Sequence, residues 1–271
     1  MTVHRVIPLT LGWATLPKSV SVHGADPTIR LREPVPGVLV EVDAGWVLLD
    51  TGYNTALVRD RYLHRRFHGD LEVITELAPG DEPLLAAFEL VGVDPSEVVA
   101  VALSHLHYDH AGGLRLFGHD VPVYCQRREL EHGLGPHPGP ERHGLYRIDY
   151  DDPDIDWRLL DGDTVLAPGL EAVSTYGHTP GHQSFVVRLT DDAAAVARCP
   201  GYVLAFDAAD LTENIEDEAA VGSFIGCTPV ETVEAIRRLK AIARQHGYRV
   251  IPGHDPHIWP AFTAELGVRG P

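Results

Sequence analysis

The 271-residue sequence predicts one large domain in which helices alternate with strands. Apolar, β-branched runs of strand length recur along the chain, and capped helical segments lie between them. Neither a low-complexity linker nor a shift in composition divides the chain, so residues 1–271 are interpreted as a single domain. A chain of this length can bury a sizeable apolar core.

The first third of the chain predicts a hairpin and two helices. Apolar runs at residues 35–42 and 46–49 are separated by Asp-Ala-Gly, which is typical of a turn. Asn54 can cap a helix that runs to about residue 67. A proline and a glycine bracket a second helix over residues 84–91.

The middle of the chain begins with an apolar run at residues 98–103, which predicts a strand buried on both faces. A further strand is expected over residues 121–125, followed by a helix over residues 127–132. Residues 133–163 are rich in glycine, proline and aspartate and predict an irregular excursion. An acidic solvated loop is the preferred interpretation and a lid is the alternative. We expect three histidines here to be exposed: His132, His137 and His143.

The last third of the chain predicts three strands, over residues 170–175, 184–189 and 202–206. Residues 190–201 are an insertion without reactive side chains. Thr228 begins a capping box with proline at the first helical position, so a helix starts there and ends at Gly247. A short strand follows at residues 250–251.

The reactive side chains are concentrated in residues 104–113, which read Ser-His-Leu-His-Tyr-Asp-His-Ala-Gly-Gly. Three histidines and an aspartate within six residues have the density of metal ligands, and a divalent cation such as zinc accepts both types. Neighbouring side chains of an extended segment cannot reach one point, so we expect two ions. His105 and His107 would face one ion. Asp109 and His110 would face the other.

Candidate ligands also follow three other predicted strands. His178 and His182 lie in Gly-His-Thr-Pro-Gly-His, Asp207 ends the next strand, and His254 lies in Gly-His-Asp near the end of the chain. An isolated buried histidine is more often structural than ligating, but the repeated strand-to-turn context favours metal binding. His257 is an alternative to His254.

These motifs resemble the signature of the metallo-β-lactamase superfamily. The resemblance implies an α+β fold, a four-layer αββα sandwich of the metallo-β-lactamase type. It also implies two divalent metal ions, for which we expect zinc, although iron, manganese and cobalt accept the same donors. The implied ligands are His105, His107 and His178 for one ion and Asp109, His110 and His254 for the other, with Asp207 bridging both.

The same resemblance implies roles for residues around the ions. Asp50 ends a predicted strand and is expected to orient a ligand histidine through its second ring nitrogen. His182 is assigned to hydrogen bonding around the ligands, because the superfamily uses the first histidine of its motif. Charge counting adds the chemistry: Asp109 and Asp207 offset half of the charge of two divalent ions, and a hydroxide that bridges the ions is expected to attack an electrophilic carbon or phosphorus.

Longer motifs, from about residue 35 to residue 255, are similar to those of N-acyl homoserine lactonases, the quorum-quenching branch of the superfamily. One position departs from that pattern. Those lactonases have a tyrosine three residues after the bridging aspartate, and this chain has Asp210. A carboxylate does not donate a hydrogen bond unless it is protonated, so either Tyr108 supplies the phenol or the substrate differs. We therefore count Tyr108 as a catalytic candidate and Asp210 as a substrate-binding one.

The leading hypothesis is a dimetal hydrolase that opens a lactone or a related ester. A glyoxalase-II-like thioesterase or a phosphodiesterase would use the same ligands and is distinguished by its substrate. A persulfide dioxygenase shares the histidine motif but binds a single iron, so metal analysis separates it. A non-catalytic metal-binding scaffold is the last alternative.

The composition excludes several classes of partner. With 22 basic and 39 acidic residues the formal charge is −17, which repels nucleic acid and anionic membranes. The three cysteines show no paired spacing and predict reduced thiols, and no apolar run is long enough for a membrane span. Residues 1–16 contain no convincing cleavage site. We expect a cytoplasmic monomer or homodimer that acts on a small molecule.

Overall fold

The structure is a computed structural model and describes residues 3–69, 73–117, 121–136 and 144–266. Seven strands form the first sheet, in the order β4-β1-β2-β3-β5-β6-β7. Their bounds are β1 Arg5–Pro17, β2 Arg30–Val42, β3 Gly45–Leu49, β4 Ile74–Leu77, β5 Val98–Ala102, β6 Val123–Gln126 and β7 Trp157–Leu160. The second sheet has the order β12-β11-β10-β9-β8. Its strands are β8 Thr164–Ala167, β9 Leu170–Ser174, β10 Gln183–Arg188, β11 Gly201–Phe206 and β12 Arg249–Pro252.

Ten α-helices lie in the described part of the chain. They are α1 Lys18–Ser21, α2 Thr55–Arg59, α3 Arg61–His68, α4 Pro83–Val91, α5 Tyr108–Ala111, α6 Arg127–Leu134, α7 Asp191–Ala197, α8 Thr212–Asp217, α9 Pro229–His246 and α10 Ile258–Leu266. None of the helices in these ranges is both long and apolar enough to cross a bilayer.

The core is divided into layers by the two sheets. One apolar cluster lies between them, where Val38 and Leu49 of the first sheet meet Phe185 and Leu204 of the second. A second cluster joins the outer face of the first sheet to α4, and a third joins the outer face of the second sheet to α9. Helix, sheet, sheet and helix therefore stack as the predicted αββα sandwich.

Several predicted elements are confirmed. The hairpin of β2 and β3 is antiparallel with a turn at residues 43–44. Helix α9 starts at a capping box in which Thr228 accepts from the backbone of Glu231, and it ends at Gly247 with φ 70°. Helix α4 has proline at its first turn and Gly92 in the left-handed conformation after its last residue.

Other expectations are wrong. The helix expected to follow Asn54 is two helices, because the side chain of Asp60 caps a new helix at Tyr62 and Leu63. In β5 the side chain of Val99 is 37% exposed, so that strand is not buried on both faces.

The excursion expected at residues 133–163 is only partly solvated within its described residues, 133–136 and 144–163. Tyr146 and Tyr150 in it are fully buried, and Trp157–Leu160 forms edge strand β7 of the first sheet. The excursion is anchored by its own buried aromatic side chains. Its acidic composition did not reveal them. His132 is half-buried rather than exposed, and His137 and His143 lie outside the described residues.

Strands β1, β4 and β8 and helix α10 were not predicted, and the insertion at residues 190–201 contains helix α7. The cysteines are unbridged, with Cys125 and Cys199 buried and Cys227 half-buried.

Candidate metal centre

The ligand-bearing loops leave the two sheets at one common edge. β3 and β5 are parallel neighbours in the first sheet, and β11 and β12 are parallel neighbours in the second. β9 runs in the same direction as β11, because each is antiparallel to β10. The carboxyl ends of these strands therefore lie together, and side chains in the loops that follow them converge.

The first ligand group consists of His105, His107, His178 and Asp207, whose donor atoms all lie within 4.8 Å of one another. His107 Nδ1 is 2.9 Å from His105 Nε2 and 2.8 Å from His178 Nε2. All four side chains are buried. Three imidazole nitrogens that face one another at this range fit a shared cation, which accepts a lone pair from each.

The second ligand group consists of Asp109, His110 and His254, again with donor atoms within 4.8 Å. His110 Nε2 is 3.6 Å from Asp109 Oδ2 and has no hydrogen-bond partner among the described residues, although it is buried. A buried ring nitrogen without a partner is costly, and a bound cation would satisfy it.

Asp207 lies between the two groups and turns one oxygen toward each. Its Oδ2 is 3.4 Å from His178 Nε2 and 3.8 Å from His105 Nε2. Its Oδ1 is 3.2 Å from His110 Nε2 and 3.0 Å from His254 Nε2. A carboxylate in this orientation can serve two ions at once.

The second ring nitrogen of four histidines is held by a fixed partner. His110 Nδ1 lies 2.6 Å from Asp50 Oδ2, and His105 Nδ1 lies 2.9 Å from Ser104 Oγ. His178 Nδ1 donates to the Ser223 carbonyl at 2.7 Å, and His254 Nδ1 donates to the Pro34 carbonyl at 2.8 Å. These contacts leave each Nε2 lone pair directed into the cluster, which is the orientation that metal binding requires.

The backbone at the two strand-end aspartates is strained. Asp50 has φ 57°, and Phe206, directly before Asp207, has φ 47°. Such left-handed conformations are uncommon for residues other than glycine and occur often at functional sites. Close packing also requires Gly112, because a Cβ there would lie 2.0 Å from the backbone nitrogen of Asn54.

The two groups differ in their electrostatics. Burial, together with neighbouring imidazoles, holds the pKa of His105 and of His107 well below the usual value. Burial also disfavours protonation of His254, but Asp207 outweighs it and raises the pKa of His254 to about 10. The pKa of His110 is raised in the same way by Asp207, Asp109 and Asp50. The second group therefore attracts positive charge more strongly than the first.

A cleft of about 460 Å³ opens onto both groups. One part of its wall is apolar and includes Leu16, Val20, Val73, Phe224 and Ile225. Another part carries the carboxyl groups of Glu33, Asp109, Asp207 and Asp210. None of the described residues that line the cleft is lysine or arginine.

Tyr108 lines the same cleft and stacks between two other tyrosines. Its ring lies 5.7 Å from that of Tyr53 and 5.0 Å from that of Tyr146, both nearly parallel. Burial, then the charge of Asp109, hold the pKa of Tyr108 well above its usual value, so the phenol stays a hydrogen-bond donor.

Two other histidines stay outside the ligand groups. His182 is buried behind His105, with ring centroids 5.3 Å apart, and its Nδ1 contacts Thr175 Oγ1 at 3.0 Å. His257 is exposed, and its backbone nitrogen donates to Asp255, so the cluster contains His254 instead.

Sequence reasoning missed a buried glutamate that joins two ligand loops. Glu129 accepts from the backbone of Leu106 at 3.1 Å, and from Thr179 Oγ1 at 2.7 Å and the backbone of Gly181 at 3.0 Å. Its only signal is a charged residue on the buried face of α6, beside Leu130. Glu33, whose carboxyl accepts from Ser21 Oγ at 2.6 Å, gave no signal at all.

Comparison with known proteins identifies the family of this chain. The family model described as the metallo-beta-lactamase superfamily matches residues 32–196. The N-acyl homoserine lactonase AttM of Azorhizobium caulinodans is 33% identical over 251 residues, which cover 90% of this chain and 89% of that protein. The chain belongs to the metallo-beta-lactamase superfamily and, within it, to the N-acyl homoserine lactonase family.

Two further relatives support the family assignment. The N-acyl homoserine lactonase AiiA of Bacillus thuringiensis subsp. kurstaki is 29% identical, and the match covers 94% of each chain. A solved N-acyl homoserine lactone hydrolase has a TM-score of 0.82 at 27% identity, covering 96% of this chain and 97% of that one. That structure contains the product N-hexanoyl-L-homoserine at its catalytic metal centre. The protein is thus a metal-dependent hydrolase with the predicted αββα fold.

Proposed function

We propose that this hydrolase opens the lactone ring of N-acyl homoserine lactones. The observation that supports this most directly is the cleft, in which an apolar wall leads to two ligand groups joined by Asp207. An apolar wall fits an acyl chain, and no lysine or arginine among the described lining residues would bind the oxygens of a phosphodiester. The family and its product-bound relative support the same substrate class.

We assign the seven predicted ligands to two divalent ions, with zinc as the expected metal. The first ion would be held by His105, His107 and His178 and the second by Asp109, His110 and His254, with Asp207 shared between them. When bound, the ions would supply Lewis-acid polarisation of the ester carbonyl and a hydroxide nucleophile at neutral pH. Metal analysis of protein purified without added metal tests how many ions each chain binds and which metal they are.

The chain's own residues would bind and orient the substrate. Leu16, Val20 and Phe224 would exclude water from the acyl chain and place the ring over the ligand groups. Tyr108, held rigidly by the tyrosine stack, would donate a hydrogen bond to a substrate oxygen. This role is the one that a tyrosine after the bridging aspartate has in the family, and Asp210 cannot take it as a carboxylate.

Ring opening releases a proton, so turnover can be followed with a pH indicator. We expect hydrolysis of N-butanoyl, N-hexanoyl and N-decanoyl homoserine lactones by the dizinc protein, with KM falling at least about tenfold from the shortest chain to the longest. Phe224→Ala should raise KM for the decanoyl substrate and leave the butanoyl value nearly unchanged, which makes the short chain an internal control. Hydrolysis of a thioester or a phosphodiester with no lactone turnover would reject the proposal.

The cytoplasmic location and the monomeric or dimeric state stay predictions. Size-exclusion chromatography with light scattering measures the second of these.

A further inference from the structure

A third group of ligand-type side chains lies in the cleft and includes a residue outside the seven predicted ligands. Donor atoms of Asp207, Asp210 and His254 lie within 4.8 Å of one another. Asp210 is buried, with 4% of its surface exposed, and it occupies the position at which the sequence departs from the lactonase pattern.

The position of Asp210 is fixed by the loop that carries His254. The backbone nitrogen of His254 donates to the Asp210 carbonyl at 2.9 Å, and the backbone nitrogen of Gly253 donates to the Ala209 carbonyl at 3.0 Å. His254 is itself anchored through Nδ1 to the Pro34 carbonyl. These backbone hydrogen bonds join the two loops and place the two side chains side by side.

The carboxyl group of Asp210 lacks compensation from the protein. Its Oδ1 is buried and has no hydrogen-bond partner among the described residues. Two other buried acids, Glu33 and Asp207, line the same cleft, and no lysine or arginine does so within the described ranges. A buried carboxylate without a donor or a cation is strongly destabilising, and a bound cation would remove that cost.

We propose that Asp210 is an additional ligand of the metal ion that His254 binds. The inference rests on the dimetal centre assigned above. The His254 ion would then have three carboxylate neighbours, Asp109, Asp207 and Asp210, whereas the other ion would have three imidazoles and a single carboxylate. Asp210 would replace the family's substrate-contacting phenol with a charge that tightens metal binding.

Metal titration tests the proposal without any use of turnover. Apo protein is prepared with a chelator and titrated with Zn²⁺ against a chromophoric competitor, for wild type, Asp210→Asn and the control Glu33→Gln. Glu33→Gln removes a neighbouring buried acid that is not a proposed ligand. We expect Asp210→Asn to weaken the binding of one of the two ions by about 10- to 100-fold, and Glu33→Gln to change either affinity by less than about threefold.

Two further measurements separate coordination from a general effect on the fold. The visible spectrum of the dicobalt protein should change in Asp210→Asn, should stay like wild type in Glu33→Gln and should be partly restored in Asp210→Glu. Apo Asp210→Asn should be at least as stable as apo wild type, because a buried unpartnered charge is gone, and metal should raise its Tm by less.

Wild-type affinity for both ions and an unchanged cobalt spectrum in Asp210→Asn would overturn the proposal, even if its KM rose. An apo Asp210→Asn variant that is clearly less stable than apo wild type would also overturn it, since Asp210 would then have a protein partner. If wild type hydrolyses no lactone but Asp210→Asn loses an ion, the proposed function fails and this inference stands.

Discussion

The two ligand groups share Asp207 but differ in the charges that surround them. The first contains three imidazoles, and the outer nitrogens of His105 and His178 contact neutral atoms, Ser104 Oγ and the Ser223 carbonyl. The second contains Asp109 and is backed by buried Asp50, with Asp210 close by in the cleft. Accordingly the pKa of His105 is lowered and that of His254 is raised to about 10.

This difference indicates that the two ions would be held by different means. The first group offers several directed nitrogen lone pairs in a neutral setting, so its binding depends on geometry. The second offers a strongly negative field, so its binding depends on charge. Variants of the metal centre should therefore differ in how much metal binding they lose. The largest loss is expected where a shared charge is removed, and smaller losses where a single nitrogen or an orienting group is removed.

The largest effect is expected from Asp207→Asn, because it removes charge from both groups while keeping the shape of the side chain. Metal content should fall from two ions per chain to one or fewer, and kcat/KM on N-hexanoyl homoserine lactone should fall by at least about 10³-fold. Metal analysis and the indicator assay measure these, with circular dichroism as the check on folding. If Asp207→Asn kept the metal content and the rate of wild type, Asp207 would not bridge the two ions.

A smaller effect, confined to the first group, is expected from His178→Ala. Zinc affinity of one ion should fall by about 10²-fold or more, because a directed nitrogen is lost, and the second ion should remain bound. His182→Ala is the matched control from the same turn, and it should retain two ions. If the two variants exchanged these outcomes, the ligand would be His182.

A comparison of Asp50→Asn with Ser104→Ala tests the residues that orient the histidines. Asp50 contacts His110 of the second ligand group, and Ser104 contacts His105 of the first. Asp50 accepts from His110 and also from the backbone and Oγ of Ser104, so it fixes the second group through a charge. We expect about 10- to 100-fold weaker zinc binding in Asp50→Asn and a smaller loss in Ser104→Ala. Equal losses in the competition titration would contradict the proposed difference between the groups.

The smallest effect concerns a buried carboxylate outside the metal centre. Asp149 accepts from Asn54 at 2.7 Å, its Oδ2 has no partner among the described residues, and burial raises its pKa to about 7. A raised carboxyl pKa destabilises the folded state once pH exceeds the unfolded value near 4, and fully so above about 7. Asp149→Asn should therefore raise Tm by a few °C at pH 8.5 and by much less at pH 5.

Thermal unfolding of the metal-free forms at both pH values measures that difference. Wild type at the same pH is the control, so other titrating groups cancel. A Tm change that is the same at pH 5 and pH 8.5 would show that the charge of Asp149 carries no penalty.

Local signals predicted much of the fold. The capping box at Thr228 and the proline and glycine around α4 act within a few residues, so sequence is sufficient to place those helices. Strand β1 was hidden by Pro8, which ordinarily disfavours a strand. In the structure Pro8 lies opposite Val38 of β2, and the pairing of β1 with β4 runs from Gly12 to Thr15, away from Pro8.

The candidate site was predictable for a related reason. Each ligand follows an apolar strand directly, so strand pattern and ligand type are adjacent in the sequence. Glu129 and Glu33 were not predictable, because a glutamate carries no sign of burial until the packing around it is known.

The sequence by itself determined which residues can bind metal, where the strands that carry them end, and which superfamily has that pattern. Only the tertiary structure decided that Asp207 turns one oxygen to each group, that the carbonyls of Pro34 and Ser223 orient His254 and His178, and that Asp210 lies beside His254. These contacts join residues as far as 220 positions apart. They depend on how two sheets pack against each other, and no local pattern of residues encodes that.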